Sequence, residues 1–366
     1  MSSKVFDSYQ LGNTSLANRI VMAPMTRSRA INNIPNELVA TYYAQRAGAG
    51  LIITEGTSPS PNGIGYARIP GVYSEEQVAG WKLVTDAVHE AGGKIFLQIM
   101  HTGRVSHPTN MPAGTRVLAP SAIGLTNSEM WTDQDGNQPY PTPEAMSSED
   151  ITNTIQEYVD AAKNAIAAGF DGVELHGANG YLLDQFIHPD SNQRTDEFGG
   201  SVENRLRFVL EVAEQVVAAI GAERTGIRLS PYGVFNELSP SYDGIEETYT
   251  QLATALSKLD LVYLHVVDHS AMGAPEVPET IKSLLRKNFS NTVILSGGYD
   301  LARAEADLAA EKGDLVAFGR PWISNPDLVQ RLQSGAELQD PNFDAFYTPG
   351  PEGYTDYPTL VQTETA

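Results

Sequence analysis

Residues Ser147–His176 read SSEDITNTIQEYVDAAKNAIAAGFDGVELH, and they hold one copy of the unit that decides the fold. Ile151, Ile155, Tyr158, Val159, Ala162 and Ile166 fall on one face of a helix with a 3.6-residue period. Ser147 and Asp150 stand where an N-cap belongs, and Gly169 where a helix stops. The short apolar run Gly172–His176 (GVELH) follows, as expected of a strand buried on both faces.

Working outward, the alternation recurs. Similar β-rich runs are Arg19–Pro24, Gly50–Glu55, Lys94–His101, Gly226–Ser230, Leu261–Asp268, Thr292–Gly297 and Leu315–Arg320. Helical patterns cover Glu203–Ile220, Glu246–Lys258, Glu276–Asn288 and Leu301–Lys312. Strand–helix alternation repeated eight times predicts an α/β fold, the closed (β/α)8 TIM barrel. A doubly wound open sheet is the alternative, but no G-x-G-x-x-G follows the first strand. Two stretches stand outside the repeat. Phe6–Arg19, with a Gly12-Asn13 turn, predicts a hairpin capping one barrel end. Gly103–Met146, rich in Pro, Gly and polar residues, is too long for an ordinary connection and predicts a lid inserted after strand three.

The 366 residues contain no linker that would divide them, so residues 1–366 are expected to form a single barrel domain. A formal net charge of −21 argues against nucleic acid and anionic membranes as partners. With no cysteine there is no disulfide, thiolate catalysis or Cys-ligated metal. No segment approaches the roughly 20 apolar residues of a membrane helix, and Met1–Leu11 lacks the apolar core of a signal peptide. A soluble cytoplasmic protein, monomer or weak homodimer, is the expectation.

Barrel active sites lie at the C-terminal ends of the strands. Strand one exits through Ala23-Pro24-Met25-Thr26, either a plain exit or small residues approaching a flat ring. Gln98 and Arg228 lie near strand tops and need partners there. They fit either a structural network or a polar heterocycle such as a flavin, whose reduced form Arg228 would neutralise. In His176-Gly-Ala-Asn179-Gly-Tyr181, the His and Asn can both donate to one carbonyl or nitro oxygen, and Tyr181 can deliver a proton. The alternative is a His–Asn pair that merely holds a loop. Gly297-Gly298 and Gly319-Arg320 end the last two strand runs, where barrels often bind phosphate. A metal site from His265, Asp268, His269 and His101 has only loose spacing, and no metal is expected. No strand-end Lys, H-E-x-x-H or G-x-S-x-G supports other chemistries.

These residues lie in longer segments: NRIVMAPMTR (Asn18–Arg27), LQIMHTGR (Leu97–Arg104), GFDGVELHGANGYLLDQF (Gly169–Phe186), NQRTDEFGGSVENRLRF (Asn192–Phe208), AFGRPWISNPDL (Ala317–Leu328) and PEGYTDYP (Pro351–Pro358). In this order they resemble the old yellow enzyme family of NADH:flavin oxidoreductases and ene-reductases, from about Phe6 to Tyr357. The resemblance implies non-covalent FMN reduced by NADPH or NADH in a ping-pong cycle. Activated alkenes, namely α,β-unsaturated carbonyl or nitro compounds, would be the small-molecule partners. It implies that His176 and Asn179 hold the activating oxygen and that Tyr181 protonates the α-carbon. Ala23, Pro24, Met25, Thr26, Gly56, Gln98 and Arg228 would meet the flavin ring, with Thr26 at O4. Gly297, Gly298, Gly319 and Arg320 would surround the phosphate, and Tyr66 and Tyr347 would line the substrate pocket. The chain departs from the family pattern in having Met100 where many relatives carry Trp, and Gly56 where Ala is common. Thr26 rather than Cys separates it from the thermophilic-like branch. A flavin barrel oxidising an amine or a 2-hydroxy acid would need another base in place of Tyr181, and the sequence offers none.

Overall fold

A computed structural model describes residues 3–360; Met1, Ser2 and residues 361–366 lie outside the described residues. The expected repeat closes on itself. Eight parallel strands run in chain order around a barrel: β1 (Ile20–Met22), β2 (Leu51–Ile53), β3 (Ile95–Ile99), β4 (Gly172–Gly177), β5 (Thr225–Leu229), β6 (Tyr263–Val267), β7 (Thr292–Ser296) and β8 (Leu315–Phe318), with β8 pairing back to β1. The helices that follow them are α1 (Glu37–Ala44), α2 (Glu75–Glu90), α3 (Ser148–Ala167), α4 (Val202–Ile220), α5 (Ile245–Lys258), α6 (Glu279–Asn288), α7 (Leu301–Ala309) and α8 (Leu328–Ser334). The cap expected for α3 is present. Ser147 Oγ accepts the Asp150 N–H while the Asp150 carboxylate accepts the Ser147 N–H, and Gly169 leaves the helix at φ 98°.

Two helices are shorter than their periodicity suggests. α6 begins at Glu279 rather than Glu276, because Pro278 is its N-cap and disfavours helical geometry at Val277. α7 ends at Ala309 rather than Lys312, and Glu311 adopts φ 58°.

Period-two alternation sorts the barrel interior into layers. The lower layer is apolar: Val21, Leu51, Phe96, Tyr263, Ile294 and Leu315 pack together. Leu11 and Leu16 of the hairpin Tyr9–Leu11/Thr14–Leu16 join this cluster and close the barrel's N-terminal end. One step higher the inward residues turn polar. Register pairs Glu174 with Gln98, His176 with Arg228, and Arg228 with His265. The larger apolar cluster lies between the strands and the surrounding helices. An apolar floor beneath a polar layer fixes the open, C-terminal end as the place for chemistry. Among the described residues no helix is long and apolar enough to cross a membrane.

The insertion after β3 has structure of its own. Glu129–Thr132 and Gly136–Pro139 form an antiparallel hairpin, and Leu118–Ala119 pairs with Glu144–Ala145. The hairpin leans over the barrel mouth, where Met130 packs with Val105 and Leu125 against Tyr66, Tyr140 and Tyr181.

Candidate active site

The barrel mouth opens into a cavity of about 1560 Å³. Its lining unites all the sequence-predicted residues: Ala23, Pro24, Met25, Thr26, Gly56, Tyr66, Gln98, His176, Asn179, Tyr181, Arg228, Gly297, Gly298, Gly319, Arg320 and Tyr347. These come from the tops of every barrel strand except β6 and from the C-terminal segment, which is why only a closed barrel brings them together.

On one wall stand His176, Asn179 and Tyr181. His176 Nδ1 accepts the Ala178 N–H at 3.3 Å, so the ring proton sits on Nε2. Burial, with the Arg228 guanidinium nearby, holds His176 well below the ordinary imidazole range, so the ring is a neutral donor. The Tyr181 ring meets it edge-on at 4.9 Å. Burial raises Tyr181 above the ordinary phenol range and keeps its proton in place at neutral pH. Tyr66 Oη lies 2.9 Å from Tyr181 Oη, with a pKa that burial also raises.

The loop carrying Asn179 and Tyr181 is held tightly. Asn179 adopts φ 61°, its N–H donates to Ser230 Oγ at 2.8 Å, and its carbonyl accepts from Asn236 Nδ2 at 2.7 Å. Asp184 accepts from the Gly180 N–H at 2.9 Å and from Ser230 Oγ at 3.2 Å. Burial pushes the Asp184 carboxyl up to about 7.

Below the cavity lies a network that sequence reasoning missed. Glu174 is fully buried; one carboxylate oxygen accepts from Gln98 Nε2 at 2.7 Å and the other meets His265 Nδ1 at 2.8 Å. One signal was present in the sequence: Glu174 is the single acid inside the run GVELH. The residues weighed as metal ligands are engaged separately. His265 meets Glu174, Asp268 pairs with Lys282 at 2.8 Å, His269 meets Asn179, and His101 Nδ1 accepts from Gly103 N–H. Among the described residues no group of three or more His, Cys, Asp or Glu is placed to hold a metal.

The two departures at positions 56 and 100 turn out to be one packing unit. A Cβ at Gly56 would lie 2.5 Å from Met100 Cε and Sδ, so the thioether occupies the volume of the missing methyl group. At the far side of the mouth Gly298 adopts φ 61°, and a Cβ at Gly319 would meet only Met25 Sδ at 3.9 Å. Arg303 Nη1 ties the Gly297 carbonyl at 2.7 Å, while the Arg320 guanidinium lies over Phe343 at 5.8 Å.

This wall, floor and glycine cradle suit one kind of group, a planar heterocycle with a polar edge and a phosphate tail. The fit has a specific mark: Arg228 Nε is buried and has no hydrogen-bond partner among the described residues, though a guanidinium so placed requires acceptors. Barrel flavoprotein oxidoreductases are the class so defined. Residues 4–339 match the model of the NADH:flavin oxidoreductase / NADH oxidase family, and the chain belongs to that family. It is 42% identical over 354 residues to a probable flavin mononucleotide-dependent alkene reductase of Leishmania infantum, covering 96% of each chain. It is 40% identical to 12-oxophytodienoate reductase 7 of Oryza sativa subsp. japonica, covering 98% of this chain and 95% of that one. Among solved structures, morphinone reductase superposes with a TM-score of 0.94 at 42% identity, covering 99% of this chain and 98% of that one. A complex of morphinone reductase with tetrahydroNAD superposes at 0.92, with 43% identity and 97% of each chain covered. FMN is thus the cofactor, and old yellow enzyme-type alkene reduction the activity.

Proposed function

We propose that the protein reduces the C=C bond of α,β-unsaturated carbonyl or nitro compounds with electrons from NADPH or NADH. The observation that carries this reading is the wall of His176, Asn179 and Tyr181, two N–H donors beside a phenol that burial keeps protonated. FMN, when bound, would supply the hydride, with a reduced nicotinamide as its source.

His176 Nε2–H and the Asn179 amide hold the activating oxygen and draw electron density from the alkene, as an oxyanion hole does. Tyr181 gives its proton to the α-carbon. Its contact with Tyr66 lets that hydroxyl stabilise the phenolate left behind. Ala23, Pro24, Met25, Thr26 and Gly56 would hold the flavin ring, Thr26 with its hydroxyl, and Gln98 and Arg228 would serve its polar edge. Gly297, Gly298, Gly319 and Arg320 would hold the phosphate, and Tyr66 and Tyr347 would border the substrate. The chain acts as one FMN-binding barrel unit, in the cytoplasm, as a monomer or weak homodimer.

The test is the visible spectrum of the purified protein under anaerobic conditions. The expected result is flavin absorbance that bleaches with NADPH or NADH and returns on adding 2-cyclohexenone. Absorbance that bleaches and does not return refutes the substrate class. A colourless protein that FMN fails to reconstitute refutes the whole reading.

A further inference from the structure

An asparagine amide presents a donor on one side and an acceptor on the other, and only the donor side serves an oxygen that gains negative charge. The Asn179 backbone is fixed at both ends by Ser230 and Asn236, yet neither contact determines which side of the side-chain amide faces the cavity. His269 does. It follows β6 at the barrel's open end and lines the cavity, with its ring against Phe235 at 4.4 Å. Its Nε2 lies 2.8 Å from Asn179 Oδ1. Burial, with Arg228 nearby, lowers His269 to about 4, so the ring is neutral at pH 7 and carries a single proton. A carbonyl oxygen only accepts, so that proton is on Nε2.

We propose that His269 is a positioning residue for the alkene site: by donating from Nε2 to Asn179 Oδ1 it turns the Asn179 N–H groups toward the activating oxygen of the substrate. The inference rests on Asn179 being a donor to that oxygen, the reading given above. It extends the site from the β4 loop to the end of β6, and it makes a residue that touches no reacting atom a determinant of substrate affinity.

The experiment compares His269→Phe, His269→Ala and His269→Gln with the wild type, alone and combined with Asn179→Ala, all loaded with FMN. The dissociation constant of 2-cyclohexenone is read from the absorbance change of the oxidised flavin, which the enone does not consume. KM and kcat are measured with NADPH, and FMN content and melting temperature for every variant. Loss of one orienting hydrogen bond is expected to raise Kd and KM for cyclohexenone about tenfold in H269F and H269A. FMN content should stay at the wild-type level, and H269Q, which keeps an N–H donor, should recover most of the loss. In the Asn179→Ala background the His269 changes should add nothing, since the amide they orient is gone. Wild-type Kd and KM in H269F and H269A, with Asn179→Ala impaired, would overturn the role of His269 alone. So would His269 effects that persist undiminished beside Asn179→Ala. Normal enone binding by Asn179→Ala itself would instead overturn the underlying reading of Asn179.

Discussion

Glu174 shows how much one buried side chain can decide. An ionised carboxylate inside a barrel is costly unless both oxygens are served, and here Gln98 and His265 serve them. By taking one N–H of Gln98, Glu174 leaves the amide oxygen and the other N–H for the cavity. It also places a negative charge close to Arg228, whose guanidinium it favours. Replacement by the isosteric Gln keeps the volume and removes the charge. With Arg228 at the flavin's polar edge, as proposed, its charge would then act less opposed and added electrons would be held more tightly. Glu174→Gln is expected to raise the midpoint potential of bound FMN. About a tenfold preference for the reduced form corresponds to roughly 30 mV for a two-electron couple. Dye-coupled reductive titration measures it; a potential equal to wild type would show that the carboxylate is only structural.

The elements around the mouth divide into those that the sequence announces and those it hides. Arg68 joins three of them. Its Nε donates to the Ser28 carbonyl at 2.9 Å, one Nη donates to the Tyr347 carbonyl at 2.7 Å, and the other meets Asp133 at the tip of the lid hairpin. Asp133 is about half exposed, so its ion pair alone is worth little, on the order of 0–1 kcal/mol. The two bonds to carbonyls carry more, because Arg68 is mostly buried. Asp133→Asn is therefore expected to change KM for cyclohexenone less than about threefold, and Arg68→Ala to raise it roughly tenfold, with faster proteolysis at the hairpin turn. Equal effects of the two changes would contradict this ordering. The barrel strands were readable as continuous apolar runs buried on both faces and repeated between helical patterns, and α3 because its apolar period spans 20 residues. The lid hairpin was not: its strands are four residues each, and one of them, Gly136–Pro139, has no buried residue to mark its period. The candidate site was readable where chemistry is local, as in His176, Asn179 and Tyr181. Glu174 meets partners 76 and 91 residues away, and His269 meets one 90 residues away, so no spacing rule brings them together. His269 was read only as a loose metal ligand for that reason.

At the scale of the whole molecule, burial of titratable groups sets the pH dependence of stability, with two opposing signs. Burial lowers His101 to about 3 and His269 to about 4, and it also lowers His176, His188 and His265. The unfolded chain binds protons at these rings near pH 6.5 and the folded one does not, so stability falls as pH drops below that value. Burial raises Glu55 and Asp184 to about 7. The folded chain then holds two protons that the unfolded chain has released above the ordinary carboxyl range, so stability falls as pH rises through 7. Between pH 5 and 6 five histidines outweigh two carboxyls, and the slope is positive, about 1.4 kcal/mol per pH unit for each net proton. Above pH 6.5 the unfolded rings and the folded carboxyls lose their remaining protons together, and the slope falls to near zero. Melting temperature followed by circular dichroism is therefore expected to rise from pH 5 and level off near pH 7. Asp184→Asn removes one opposing proton and is expected to steepen the rise between pH 5 and 7 by roughly 1.4 kcal/mol per pH unit. A slope that Asp184→Asn leaves unchanged would mean that Asp184 is ionised in the folded barrel. The Asp184 bonds that hold the Asn179 loop would then be charge-assisted rather than those of a neutral acid.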